Sequence, residues 1–226
     1  MSLKAERISE LTVNRLSVYL RCLDELAAQG EATVSSQALA ERFSLNSAQI
    51  RKDLAYFGEF GIRGLGYNID LLRTHLTQIL GLDAPRRVGV IGAGNLGTAL
   101  ANYDGFARSN FAVVSLFDTD PAKIGGVVSG QIPINDFANF AAVVSASSID
   151  IAAIAVPARV AASVLDAVVE AGIKGVLNFA PIRLRAPAGV KIKHVDLLVS
   201  LESLSYFLAR GASLAKLDDD TDPTSI

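Results

Sequence analysis

Apolar and polar positions follow two rhythms along the 226-residue chain, and the rhythm changes near residue 85. Before that point helical spacing dominates. From Leu11 to Ala28, apolar residues recur at Leu16, Tyr19, Leu20, Leu23, Leu26 and Ala27, a three-and-four step that forms one stripe of a helix ended by Gly30. Ser36 to Phe43 fits a shorter second helix. Asn46 is a good N-cap, and Gln49 three residues later predicts a reciprocal cap for a third helix from Ser47 to Phe57. Three helices with a tight turn before the third outline a helix-turn-helix. Glycine then recurs at 58, 61, 64 and 66 in FGEFGIRGLGYNI, between bulky residues, which predicts a small hairpin with Arg63 near its tip. Asp70 is expected to cap a fourth helix running to Leu80, and Gly81 to Pro85 reads as a linker.

Beyond Arg86 short apolar runs alternate with helical stretches. VGVIG, FAVVSLFD, IDIAAIAVP, KGVLNF and VKIKHVD predict a parallel sheet covered on both faces, the α/β class. The stretch from Leu198 to Leu217 places Leu201, Leu204, Leu208 and Ala215 on one stripe and Phe207 and Leu214 on a flank, so it predicts a helix packed on two surfaces, a second subunit being one candidate.

Charge adds little to this picture. Residues 1–80 carry nine Lys+Arg against nine Asp+Glu, residues 81–197 ten against nine, and residues 198–226 two against five, so the net charge of −2 comes mostly from a C-terminal end read as frayed and solvated. No broadly basic footprint supports nucleic-acid binding, which must be argued from local pattern. One cysteine, Cys22, forms no intrachain disulfide and no thiolate metal cluster, which fits a reducing cytosol. No metal site is predicted. Neither a signal peptide nor a run of about 18 apolar residues for a membrane span is present.

The strongest chemical signal is Ile91-Gly92-Ala93-Gly94-Asn95-Leu96-Gly97, a G-x-G-x-x-G spacing directly after a buried strand and opening a helix. Gly92 permits the tight turn, Gly94 the approach of a pyrophosphate, and Gly97 close helix–strand packing, while the helix start offers N–H groups to phosphate. Asp118 ends the next strand 21 residues after Gly97, where a carboxylate accepts from both ribose hydroxyls and repels a 2′-phosphate. The expected cofactor is NADH or NAD+ rather than the phosphorylated pair. Val156-Pro157 and Asn178-Phe179 lie at predicted strand ends, where they form either a stiff apolar wall for a nicotinamide ring or ordinary loops.

A dehydrogenase also needs an acid or base at the reacting carbon. His75 reads as a surface or packing residue. His194 near Asp196 suits a proton relay less well than an exposed strand position. Residues 86–197 suffice for a nucleotide half only, with no substrate domain left over.

Taken together, the strings SVYLRCL at 17–23, QIRKDLAYFGEFGIRGLGYNI at 49–69, GAGNLGTALANYDGF at 92–106, FDTDPAKIG at 117–125, GIKGVLNFAP at 172–181 and HVDLLVSL at 194–201 resemble the bacterial redox-sensing repressors of the Rex family across nearly the whole chain. The resemblance implies a winged helix-turn-helix domain at 1–81, a Rossmann NAD(H)-binding domain at 82–197, a dimerisation helix at 198–217 exchanged between subunits, and an acidic disordered tail at 218–226. It implies a homodimer on a palindromic DNA operator, released when NADH binds, without catalysis. The DNA contacts it carries over are Ser47, Gln49, Arg51, Lys52 and Tyr56 on a recognition helix from Ser47 to Tyr56, with Arg63 and Tyr67 in the wing. Arginine reads guanine, lysine suits phosphate, and a wing-tip arginine suits a narrow minor groove. To the glycine turn it adds Tyr103, Asp118, Lys123, Val156, Pro157, Asn178 and Phe179 as cofactor contacts, and it assigns redox coupling to Arg21, Tyr103 and Asp196. Two other readings stand beside it: an oxidoreductase with an N-terminal interaction domain, and a coenzyme A-binding assembly module.

Overall fold

A computed structural model describes residues 8–209. They fall into two compact units, one ending at Asp83 and the other beginning at Ala84.

The first unit is helical with a small sheet. Its elements are α1 (Glu10–Ala28), β1 (Thr33–Val34), α2 (Ser36–Phe43), α3 (Ser47–Ala55), β2 (Gly61–Ile62), β3 (Gly66–Asn68) and α4 (Ile69–Ile79). Ser9, Ser35 and Asn46 cap α1, α2 and α3 with side-chain oxygens, as residues of this type do when they stop a helix from fraying. The buried stripe of α1 matches the expected spacing and adds Thr12 and Cys22. Burial pushes the Cys22 thiol up to about 11, so it behaves as a small apolar residue. The expected hairpin is present as β2 and β3, and β1 joins them in the order β1-β3-β2, making a wing with Arg63 in its turn.

Three local expectations need correction. The third helix stops at Ala55, two residues short of Phe57. Asn68, not Asp70, caps α4, accepting from Leu71 N at 2.9 Å, while Asp70 lies in the first turn and pairs with Arg73. Gln49 does not close a capping box. Its Nε2 donates instead to Asp53 Oδ1 at 2.8 Å, because a buried carboxylate one turn away is the stronger acceptor.

Asp53 is the tightest polar point of this unit. It is fully buried, and Arg15 Nε and Nη2 reach its two oxygens at 2.6 and 2.8 Å while Tyr19 Oη donates at 2.9 Å. Burial opposes the charge, but donors from Arg15, Gln49 and Tyr19 hold its carboxyl below the usual range. Read as RKD in sequence, the segment resembles a solvated face. In the fold Asp53 points inward and locks α3 to α1.

The second unit is a seven-stranded sheet in the order β10-β9-β8-β4-β5-β7-β6, from β4 (Arg86–Ile91), β5 (Phe111–Asp118), β6 (Val127–Val128), β7 (Ile132–Asp136), β8 (Ile151–Ile154), β9 (Gly175–Asn178) and β10 (Lys191–His194). All pairs are parallel except β6–β7. Its helices are α5 (Asn95–Ala101), α6 (Asp104–Arg108), α7 (Phe140–Ser147), α8 (Ala158–Glu170) and α9 (Leu197–Ala209). Alternation along each strand sends Ile91, Phe117, Ala152, Ile154 and Val176 to a face packed by α7 and α8, and Val88, Val90, Leu116 and Ala153 to the other. The short strands β6 and β7, within GVVSGQIPIND, escaped the sequence reading because Pro133 and flanking glycines look like a loop. The C-terminal helix begins at Leu197 and none of its described residues is buried, with Leu197 at 64% and Leu208 at 75% exposure. Leu214, Ala215, Leu217 and the expected tail at 218–226 lie outside the described residues.

The Asp53 cluster yields a stability prediction. Asp53→Ala strands the Arg15 guanidinium and is expected to cost about 3 kcal/mol near neutral pH in urea denaturation. Because the folded carboxyl titrates below its unfolded value, the cluster's contribution is full above that unfolded value and fades as pH falls below about 4, where wild type and variant should converge. Wild-type stability in the variant at neutral pH would refute the assignment.

Candidate functional site

Strand carboxyl ends define the first site. Ile91 is in register with Phe117 and Ile154, Ile154 with Asn178, and Asn178 with His194, so five strands end in one row. The order reverses at β4, flanked by β5 and β8, which is where open α/β sheets take ligands. Gly92 follows β4 at φ +104°, and a Cβ on it would lie 2.5 Å from the Ala155 carbonyl oxygen and 3.2 Å from Val156 Cγ1. A Cβ on Gly97 would collide with the Gly92 carbonyl oxygen, so α5 can approach β4 only through glycine. Gly94 opens α5 with no side-chain cap and nothing within 4 Å of its missing Cβ. Ile91 and Ala93 are buried beneath this turn, while Asn95 and Leu96 face solvent. The result is an open backbone surface ringed by N–H groups, suited to a pyrophosphate.

Asp118 closes one side. Its Oδ2 accepts from Ala93 N and Lys123 Nζ, each at 2.9 Å, and its Oδ1 from Thr119 N and Asp120 N at 2.8 and 2.9 Å. Burial works against the charge, yet the backbone donors and Lys123 hold the carboxyl below its ordinary range, so it stands ionised beside the glycine turn. The same hydrogen bond raises Lys123, whose side chain is partly exposed. Lys123 was carried over on resemblance alone; its pairing with Asp118 across five residues is the geometry behind it.

On the other side Val156 and Phe179 are half-buried and Pro157 is exposed at the start of α8. Asn178 is turned away from solvent. Its Nδ2 donates to the Ala180 and Ile182 carbonyls at 3.2 and 2.9 Å, and its Oδ1 accepts from Ala180 N at 3.1 Å. Nδ2 also lies 3.1 Å from His194 Nδ1. Asn178 therefore braces the loop that carries Phe179. His194 is exposed, as expected, and is bonded to Asn178 rather than Asp196.

The three residues assigned to coupling stand apart in character. Tyr103 is 61% exposed at the start of α6 and stands edge-on to Phe106, with ring centres 5.2 Å apart. Asp196 accepts from Leu198 N at 3.0 Å and so caps α9. Arg21 is exposed on α1 and makes no hydrogen bond or ion pair among the described residues.

The second site lies in the first unit. Arg51, Lys52 and Tyr56 are exposed along and just after α3, Ser47 and Gln49 are half-buried, and Arg63 projects from the wing turn. Tyr67 is buried in β3 beneath Gly61. Arg51 Nη1 donates to Ser36 Oγ at 2.8 Å. The sequence reading missed Ser36, Arg15, Tyr19 and Asp53 as the parts that hold this face; only the acidic residue next to Arg51-Lys52 hinted at it. His75 packs on Phe60 with ring centres 5.0 Å apart, a packing residue as expected. Among the described residues no helix is long and apolar enough to cross a membrane, and no His, Cys, Asp and Glu cluster could hold a metal.

Comparison with known proteins finds relatives for both units. The family described as "CoA binding domain" matches residues 83–182, and that described as "Putative DNA-binding protein N-terminus" matches residues 7–55. The redox-sensing transcriptional repressor Rex of Chloroflexus aggregans is 44% identical over 207 residues, covering 92% of this chain and 97% of the relative. That of Carboxydothermus hydrogenoformans is 46% identical over 210 residues, covering 92% and 100%. Among solved structures, RSP in complex with β-NAD+ and operator DNA superposes with a TM-score of 0.86 at 37% identity, over 95% of this chain and 98% of that one. RSP with β-NADH gives a TM-score of 0.82 at 36% identity, over 93% and 99%. With this identity sustained along almost its full length, the chain belongs to the Rex family of redox-sensing transcriptional repressors.

Proposed function

We propose that the protein is a homodimeric repressor that holds a palindromic DNA operator through α3 and the wing and releases it when NADH enters the glycine crevice. The observation that carries this reading is the pairing, in one chain, of a glycine turn at the sheet's reversal point with an exposed Arg51-Lys52 helix and an arginine-tipped wing. Its relative RSP has been solved with NAD+ and operator DNA and with NADH.

The chemistry of sensing follows from charge. Oxidised nicotinamide is cationic and the reduced ring is neutral, so a wall of Val156, Pro157 and Phe179 disfavours the oxidised form by its desolvation. A hundredfold preference requires only about 2.7 kcal/mol. The carboxylate of Asp118 accepts from the ribose diol and repels phosphate on that ribose, which selects NADH over NADPH. Crevice and reading helix are then linked through Arg21, Tyr103 and Asp196, and NADH shifts the dimer by as much as it binds the released arrangement more tightly. The exposed apolar α9, led by Asp196, finds its cover on a second copy by exchange. This is a binding device without catalysis: Asn178 is spent on its own loop and the crevice wall is apolar. A DNA-bound regulator works in the cytoplasm, beside the chromosome.

The family model for a CoA binding domain favours one second reading, coenzyme A as ligand. Its ribose 3′-phosphate would meet the Asp118 carboxylate, and calorimetry with coenzyme A, NADH, NAD+ and NADPH separates the two.

Three outcomes test the proposal. A duplex selected by the protein from a random-sequence pool should be retained in a gel shift and freed by micromolar NADH; retention indifferent to NADH would end the sensing account. Arg51→Ala should weaken duplex binding at least tenfold with NADH affinity intact, and equal loss of both would signal misfolding. Asp118→Ala should weaken NADH or admit NADPH in calorimetry, whereas unchanged selectivity would remove Asp118 from the site.

A further inference from the structure

Gly105 stands inside a helix where nothing about the backbone calls for glycine. It is the second residue of the five-residue α6, and its φ lies outside the left-handed region that favours this residue. Glycine in a helix is less stable than alanine because it gives up more chain freedom, so its use there needs another reason. The reason is space. A Cβ on Gly105 would lie 2.5 Å from Tyr103 Cζ, 2.7 Å from its Oη and closer still to its Cε1, and these three atoms of one phenol are its nearest neighbours. The Tyr103 side chain therefore lies directly over the bare Cα of Gly105, with the Phe106 ring edge-on at its flank, ring centres 5.2 Å apart. The main chain of Tyr103 is tied on both sides. Its N–H donates to the Leu100 carbonyl at 3.2 Å, and its carbonyl accepts from Phe106 N–H at 3.1 Å, so only the side-chain torsions are left to choose. A tyrosine this exposed would otherwise exchange between rotamers in solvent; here the glycine gives it one seat.

We propose that Gly105 is a positioning residue for redox coupling, and that its bare Cα is the seat from which the Tyr103 ring links the crevice to the DNA-binding unit. The inference rests on the coupling role given to Tyr103 above and adds the residue through which that role is set. Tyr103 caps α6 one residue after Asn102 ends α5, the helix that opens at the glycine turn. Its main chain is thus carried by the helix of the crevice, and its ring is aimed by Gly105. Substitution by alanine fills the seat with a methyl group. The ring can then swing outward while the main chain stays, because the colliding atoms are the far end of an exposed, rotatable side chain and not backbone. The helix itself gains, since alanine fits this backbone and restricts the unfolded chain. A glycine kept for the fold alone would behave in the opposite way, losing stability when replaced.

The test uses the full chain, a duplex that the wild-type protein selects from a random-sequence pool, and the ratio of duplex affinities without and with saturating NADH. Gly105→Ala should lower this ratio by about tenfold or more, while duplex affinity without NADH stays within about threefold and the thermal midpoint equals or exceeds that of wild type. Tyr103→Ala should lower the ratio as well. Adding Gly105→Ala to Tyr103→Ala should change it no further, because a residue that acts only through the ring then has nothing left to position. An unchanged ratio in Gly105→Ala beside a lowered one in Tyr103→Ala would overturn the seat and leave the coupling role of Tyr103 standing. Losses that multiply in the double variant, or a lower thermal midpoint in Gly105→Ala, would overturn it equally. An unchanged ratio in Tyr103→Ala would defeat the coupling role itself, and the seat with it. A ratio of about one in the wild-type protein would defeat the sensing reading on which both depend.

Discussion

A single buried carboxylate sets the geometry of the DNA-facing half. Asp53 sits one turn after Gln49 and beside Lys52 on α3, and its two oxygens collect bonds from Arg15 and Tyr19 on α1 and from Gln49 itself. An uncompensated charge at zero exposure would be costly, so the helix has one low-energy rotation about its axis, the one that returns Asp53 to Arg15. That rotation also determines what faces outward. With Asp53, Ile50 and Leu54 inside, Arg51 and Lys52 are forced to the surface. The exposure of Arg51 and Lys52 is a by-product of a core constraint.

The nucleotide half solves the opposite problem, keeping a space empty. Side chains are excluded at Gly92 and Gly97 because backbone oxygens occupy the volume a Cβ would need, and the turn is left with open N–H groups. Asn178 spends its amide on bracing the loop of Phe179, which makes one wall firm without placing a polar group in it. Under the proposed function, a rigid apolar wall beside the Asp118 carboxylate suits the discrimination of neutral from cationic rings.

Much of this was legible in the sequence, and the gaps share a cause. The glycine turn and Asp118 are encoded locally, in fixed spacing along one strand–helix unit, and the structure brings them together through Ala93. The helices of the first unit likewise follow from their caps and stripes. Asp53 was illegible because its partners lie 38 and 34 residues away, and nothing in RKDL distinguishes an inward from an outward aspartate. Gln49 and Asp70 were misread as caps because the pattern of a cap is also the pattern of a helix interior; Asp53, one turn along the same helix, and Asn68 decided otherwise. Strands β6 and β7 were missed because two- and five-residue strands around Pro133 carry too little periodicity to register. Tyr67, carried over as a DNA contact, is buried in β3 against Gly61, a position that the alternation of glycines and bulky residues in the wing did not reveal.

The central claim is that cofactor and operator compete through one conformational equilibrium of the dimer. Linkage makes the claim quantitative: the factor by which NADH weakens the operator complex must equal the factor by which operator weakens NADH. Calorimetric titration of NADH into the free protein and into its saturated complex with the selected duplex measures this directly. The account predicts a lower NADH affinity in the complex, by the same factor as the loss of DNA affinity, with little difference for NAD+. Identical NADH affinity in both states would contradict it.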